Sequence, residues 1–348
     1  MKLNKLFGGL LGLGLALSLV ACQTEIGPAG PTGPAGPQGP PGADGQNGAE
    51  NCVDCHGSNQ LITAKMFQWE NSVHALGGHY ARNTTSCAVC HTSQGFLERI
   101  ETGAQVTAAT IDDPLPQNCY TCHQIHSTYT QADWALTASD PVTLWEGGET
   151  RDIGKGNQCI NCHQARIAAG LPVPGVAGTT EITSSHWGPH HGAQGTLFTG
   201  AGGYKVAGST AYANSLHTTL VEDACITCHM APVSGGRESG GHTFRVASET
   251  GTLNTNGCVQ CHTDGANAVK DQVALTQTEI EDLLAQLADK LVAGGIFDAN
   301  HELIPGTYDN VLAGAAYNYI FIEEDKSAGV HNAKYVRALL KNSIEALQ

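Results

Sequence analysis

Apolar residues recur with a clear helical period toward the C-terminal end of the chain. Thr276-Gln-Thr-Glu279 is a capping box, a leucine-rich face follows it, and Gly294 comes directly after that face. The face consists of Ile280, Leu283, Leu284, Leu287 and Leu291. The pattern predicts one helix starting at Thr276, a second over about 309–324 and a third after Asn332. The apolar stripe of the third helix is Tyr335, Val336, Leu339, Leu340 and Leu347.

Between residues 51 and 275 the periodicity is weak, and loops rich in Gly, Thr, Ser and Asn interrupt it throughout. Aromatic residues make up only 6% of the chain, so its own side chains offer little large apolar surface for a core. We expect short helices and little sheet in this region. The predicted fold class is mainly α with much irregular loop.

The first 21 residues have the pattern of a signal peptide. Lys2 and Lys5 precede an apolar run from Leu6 to Val20, which is short for a transmembrane helix. The run ends in Leu-Val-Ala-Cys22, which resembles a bacterial lipobox and implies lipidation of Cys22. Gln at the next position resembles the sorting signal of outer-membrane lipoproteins. The alternative is a plain secretory peptide that leaves Cys22 as a free thiol.

Residues 22–50 form a collagen-like spacer in this interpretation. Glycine falls at every third position from Gly27 to Gly48, with prolines interspersed. Eight triplets are few for a free-standing triple helix. Two alternatives stay open, a polyproline-II spacer between the membrane and the folded domain and a stalk that forms a homotrimer.

Six copies of Cys-x-x-Cys-His carry the chemistry of the chain. Their cysteines are Cys52, Cys55, Cys87, Cys90, Cys119, Cys122, Cys159, Cys162, Cys225, Cys228, Cys258 and Cys261. Their histidines are His56, His91, His123, His163, His229 and His262. This spacing is typical of c-type haem attachment, with two thioether bonds and a proximal imidazole under the iron. Zinc sites and disulfide frameworks do not require a histidine after every second cysteine, and all six copies have one.

The six motifs predict six c-type haems as the cofactors and as much of the core. Residues 51–348 provide about 50 residues per haem, too few for a separate core around each. We therefore expect a hexahaem region over 51–275, completed by the C-terminal helical region over 276–348. Because the cofactors would form the core, folding and haem attachment should be coupled, by analogy with metal-coupled folding.

Ten further histidines are available as second axial ligands. They are His74, His79, His126, His186, His190, His191, His217, His242, His301 and His331. Imidazole is a standard haem ligand, so ten for six irons favour two histidines per iron. Met66 and Met230 are the competing thioether ligands. The segment 186–191 offers at least one candidate between the fourth and fifth motifs.

Several stretches resemble bacterial multihaem c-type cytochromes of outer membranes and extracellular electron transfer. These are Ser-x-His-Ala at 72–75, Gly-Pro-His-His at 188–191, Cys-His-Met at 228–230, Gly-His-Thr-Phe at 241–244 and Gly-Val-His-Asn-Ala-Lys-Tyr at 329–335. The tail also distantly resembles cytochrome c nitrite reductases. The resemblance implies closely packed bis-histidine haems that act as a wire. It gives the distal role to His74, His126, His190, His217, His242 and His331, with His186 and His191 as alternatives to His190.

Charge and motif chemistry favour an electron carrier over a substrate-converting enzyme. Without Lys2 and Lys5, 15 basic residues stand against 32 acidic ones, a net charge of −17. Such a field repels small oxyanions and nucleic acid, and favours basic redox proteins or extracellular metal acceptors. Nitrite reductases mark their open haem with Lys, whereas every motif here ends in His.

The alternatives are a reductase with one five-coordinate haem and a subunit of a conductive filament. The expected location is the outer membrane, on its periplasmic face or at the cell surface.

Overall fold

The computed structural model describes Cys52, residues 55–56, 60–77, 79–233 and 238–348. All of them belong to one compact unit, Asn47–Gln348. The predicted signal peptide, Cys22 and the collagen-like spacer lie outside the described residues. Within the described part, no helix combines the length and the apolarity needed to cross a bilayer.

The described chain is mainly helical, with short helices up to residue 229 and three long ones after it. The short helices are α1 Gln60–Glu70, α2 Val73–Leu76, α3 Thr85–His91, α4 Ser93–Thr102, α5 Cys119–Cys122, α6 Asn157–Ile160, α7 Gln194–Phe198, α8 His217–Leu220 and α9 Cys225–His229. The long helices are α10 Ala266–Ala293, α11 Asn310–Asp325 and α12 Ala333–Ala346. The predicted fold class, mainly α with much irregular loop, is confirmed.

Strands are few among the described residues. β1 Val142–Thr143 pairs antiparallel with β2 Thr150–Arg151. β3 Thr179–Ile182 pairs antiparallel with β4 Gly306–Asp309, so that Thr179 lies opposite Asp309 and Ile182 opposite Gly306. The second pair ties the loop after the fourth motif to the start of α11, where the Asp309 side chain caps the helix.

The three long helices build the larger hydrophobic core. Leu287 and Leu291 of α10, Phe321 of α11 and Val336 and Leu339 of α12 are completely or almost completely buried. Each buried side chain of this size contributes about 1.5–3 kcal/mol relative to an exposed one. A second core is much smaller and gathers Val142, Leu144, Ile153, Ile160, Phe198, Ala201 and Ala224. Conventional side-chain packing is thus concentrated at the C-terminal end.

The predicted start of the first long helix is wrong by ten residues. The helix begins at Ala266, directly after Gly265, and Thr276 lies buried in its interior. The stretch from Ala266 to Leu275 contains no Gly or Pro and continues the helix backward, so the capping-box residues have no terminus to cap. The end at Gly294 and the two following helices are confirmed.

Candidate haem-binding sites

Each of the six motif histidines faces one histidine from elsewhere in the chain. The distances between ring centroids are 5.9 Å for His56–His126, 6.0 Å for His74–His163, 6.3 Å for His91–His190, 6.3 Å for His123–His242, 6.0 Å for His217–His262 and 6.1 Å for His229–His331. The six partners are the six histidines to which the resemblance gives the distal role.

This separation fits one metal ion between two imidazoles. A ligating nitrogen lies about 2 Å from its metal and about 1 Å from its own ring centroid, so two trans imidazoles have centroids roughly 6 Å apart. The measured distances of 5.9–6.3 Å agree with that value at all six pairs. The residues present therefore fit six-coordinate iron in a c-type haem at each motif.

Burial keeps several of these rings in the form that binds metal. Burial, with a smaller effect from His163, lowers the pKa of His74 to about 4. Burial and then the nearby Arg82 lower the pKa of His91 to about 4. His242 is shifted to a pKa of about 4 by burial and then by Lys65. Each ring is consequently neutral at physiological pH and has a nitrogen lone pair for a metal.

Hydrogen bonds fix which nitrogen of the ring faces the partner. Nδ1 of His123 donates to the Trp134 carbonyl at 2.8 Å, and Nδ1 of His229 donates to the Phe244 carbonyl at 2.9 Å. A carbonyl oxygen only accepts, so the proton must reside on Nδ1 in both rings. Nε2 is then left without a proton, as a ligating imidazole requires.

Two of the histidines that face a motif histidine have an unusual backbone conformation. His126 and His190 both have positive φ, 62° and 65°. Such angles are uncommon for residues other than glycine and are concentrated at functional sites. The motifs use simpler geometry, because α3 and α9 each end in a motif histidine with the two cysteines on the preceding turn.

Large apolar side chains flank two of the distal histidines and are exposed. Val73 and Leu76, on either side of His74, are 69% and 76% exposed. Leu216 and Leu220, around His217, are 65% and 69% exposed. Exposed apolar residues grouped around a ligand position are typical of binding surfaces for an apolar group, and a porphyrin ring is one.

Cysteine contacts join different motifs. The thiol of Cys90 in the second motif lies close to that of Cys162 in the fourth. The thiol of Cys159, also in the fourth motif, lies close to that of Cys225 in the fifth. All twelve motif cysteines are free of disulfides. The fourth motif is therefore the neighbour of both the second and the fifth.

Phe244 connects three of the histidine pairs. Its ring lies 4.8 Å from that of His74 and 5.9 Å from that of His242, and its carbonyl accepts the hydrogen bond from His229. Its φ of 57° is also positive. The pairs of the third, fourth and fifth motifs thus meet at one residue, which sequence reasoning missed because its neighbours come from distant parts of the chain.

The structure separates His190 from the neighbouring alternative. His190 faces His91, whereas Nδ1 of His191 lies 2.7 Å from Oε2 of Glu324 in a ring that is 74% exposed. His301 has its ring 6.3 Å from Tyr319, near the C-terminal core. Among the ring contacts of the described residues, none joins His186 to a motif histidine.

Comparisons with known proteins find two similarities to cytochromes. Residues 208–348 match the family of cytochrome c552. No curated protein matches the chain. Among solved structures, the chain is similar to the crystal structure of outer cell wall cytochrome OcwA, with 21% identity and a TM-score of 0.52, over 81% of this chain and 50% of that one.

The two comparisons cover different parts of the chain. This chain spans about half the length of OcwA, and at 21% identity the likeness concerns the fold. The cytochrome c552 match contains the fifth and sixth motifs, and the structural likeness extends over most of the chain. In fold, most of the chain is similar to this cytochrome, and its C-terminal part matches the cytochrome c552 family.

Proposed function

We propose that this protein is an electron carrier that holds six c-type haems. Each haem is attached through one Cys-x-x-Cys-His motif, and a second histidine is the other ligand of its iron. The observation that carries the proposal is the set of six histidine pairs at 5.9–6.3 Å. A c-type haem supplies a one-electron couple at its iron.

The residues of the chain have distinct roles in this proposal. The twelve cysteines attach the cofactors covalently, and His56, His91, His123, His163, His229 and His262 are the proximal ligands. The second ligand of each iron would be one of His74, His126, His190, His217, His242 and His331, and no position would then be left for a substrate. Carbonyls such as those of Trp134 and Phe244 fix the ring orientation, which limits the rearrangement that an electron transfer requires.

Contacts between motifs support a connected path for electrons. The cysteine contacts make the second, fourth and fifth attachment sites neighbours. Phe244 brings ligands of the third, fourth and fifth sites together. We infer that the fourth site is the junction of the path. The order in space then differs from the order of the motifs along the chain.

We propose that the carrier works outside the cytoplasm as a lipoprotein of the outer membrane. The lipobox-like sequence at Cys22 and the collagen-like spacer support this location. The likeness to a cytochrome described as an outer cell wall protein agrees with it. The net charge of −15 for the whole chain favours basic redox proteins or cationic metal species as partners.

Neighbouring histidines provide the test of ligation. His190→Ala should convert one sixth of the ferric iron from low spin to high spin while the haem content stays at six per chain. His191→Ala, one residue away, is the matched control and should leave every iron low spin. Electron paramagnetic resonance and haem quantification measure both effects. A high-spin signal in the His191 variant, or none in the His190 variant, would refute the assignment.

A further inference from the structure

Asp325 is a buried carboxylate held against one of the paired histidines. It is the last residue of α11, and its side chain has no solvent exposure. Its Oδ1 lies 2.6 Å from Nδ1 of His331, and the Ser327 hydroxyl donates to its other oxygen. The ring of His331 in turn faces that of His229. The carboxylate is thus one hydrogen bond away from a proposed axial ligand.

The other paired histidines have neutral partners where the structure gives one for Nδ1. These neutral partners are the carbonyls of Trp134 and Phe244, the side-chain amide of Gln194 and the hydroxyl of Tyr120. Among the paired histidines in the described part of the chain, only His331 contacts a carboxylate. The fifth site therefore differs electrostatically from the rest.

The negative charge of Asp325 needs a positive partner. Burying an ionised carboxylate costs several kcal/mol unless an opposite charge compensates it. No Lys or Arg forms an ion pair with Asp325 among the described residues, and His331 is its ionic neighbour there. The Asp325 carboxylate therefore places a negative field at the His331 ring. The same field stabilises positive charge on an iron that His331 binds.

We propose that Asp325 is a positioning residue that lowers the reduction potential of the haem held by His229 and His331. The proposal rests on the ligation proposed above. A carboxylate that accepts the Nδ1 proton makes the imidazole a stronger electron donor, which favours the ferric state. The couple takes up one electron from a redox partner, no bond forms or breaks, and the proton stays on Nδ1.

Asp325→Asn tests the proposal because the amide keeps an oxygen for Nδ1 and removes the charge. The expected result is a rise in the midpoint potential of one sixth of the haem absorbance, equivalent to about a tenfold shift in its ferric–ferrous equilibrium or ~59 mV. Potentiometric titration of the full chain, followed by absorbance, measures it. Glu323→Gln removes a charge from an exposed position on the same helix and should change no potential.

The outcomes separate this proposal from the ligation that it assumes. Six low-spin haems with unchanged potentials in the Asp325 variant would overturn the role of Asp325 and leave the ligation intact. High-spin iron in the unmodified protein would instead count against the ligation. If the Asp325→Asn protein does not bind haem, the Ser327→Ala variant tests the effect of the Asp325 carboxylate on the potential. It removes a donor that shares the carboxylate's charge, so the potential of the same haem should fall, and an unchanged or raised potential would overturn the proposal.

Discussion

Arg99 places a buried positive charge beside the second motif. Arg99 is 6% exposed, its Nη1 lies 3.9 Å from Sγ of Cys90, and its guanidinium donates to the carbonyl of Asn161. Its guanidinium also lies 4.7 Å from the centroid of the Trp145 ring. A positive charge held against an attachment cysteine should stabilise the reduced, less positive state of the iron. We predict that Arg99→Gln lowers the potential of one haem.

The size of the shift follows from Coulomb's law. In the proposed protein the Cys90 sulfur would be bonded to the porphyrin edge, so the guanidinium would lie on the order of 10 Å from the iron. At an effective dielectric constant of about 20, one unit charge at that distance contributes ~1.7 kcal/mol. A one-electron couple changes by about 59 mV for each 1.4 kcal/mol, so we expect a fall of roughly 70 mV. The low exposure of Arg99 means that salt screens little of it.

Potentiometric titration of the purified protein measures this fall. Arg99→Lys keeps the charge and should restore most of the potential, which separates electrostatics from lost packing against Trp145. Arg337→Gln removes an arginine that is paired with Glu279 on another part of the surface and should change no potential. If Arg99→Gln keeps six haems and all midpoints stay within error of the unmodified protein, the electrostatic reasoning is wrong.

Two further predictions concern stability. Burial raises the pKa of the Glu146 carboxyl despite its hydrogen bonds from Tyr317 and Gly203, so folding favours the protonated form. The protein should therefore lose stability as pH rises from the unfolded pKa of about 4.3 through the raised folded pKa, and Glu146→Gln should lack this loss in thermal unfolding between pH 4 and 8. Asn318 is completely buried and bonds both the N–H and the carbonyl of Tyr204. Asn318→Ala should lower the free energy of unfolding by about 2–4 kcal/mol. A loss below about 1 kcal/mol in denaturant titration would show that these hydrogen bonds contribute little to stability.

Local features of the fold were predictable, and distant contacts were not. The apolar stripe of Tyr335, Val336, Leu339 and Leu340 identifies α12 because fewer than two helix turns contain the whole signal. The start of α10 is not predictable from these residues, because Thr276 and Glu279 match a capping box inside an uninterrupted helix-forming segment. A motif of four residues cannot tell a terminus from an interior when no Gly or Pro precedes it.

In the candidate site, too, the local motifs are predictable from the sequence and the contacts between distant residues are not. Cys-x-x-Cys-His is a local signal, and the sequence also marks which histidines are available as partners. It does not reveal that His74, which lies between the first and second motifs, faces His163 of the fourth. Such pairings depend on the whole chain path. Asp325 lies only six residues before His331, but a carboxylate at that spacing carries no signal without the turn that brings the two together.

The ferric protein at neutral pH provides the most direct test of the account. Haem quantification combined with electron paramagnetic resonance should give six haems per chain, all low spin, because two imidazoles would bind each iron. A sizeable high-spin signal would contradict the proposal that two histidines bind every iron. Fewer than six haems, in a protein whose twelve motif cysteines all resist alkylation, would contradict the proposal that each motif attaches one haem.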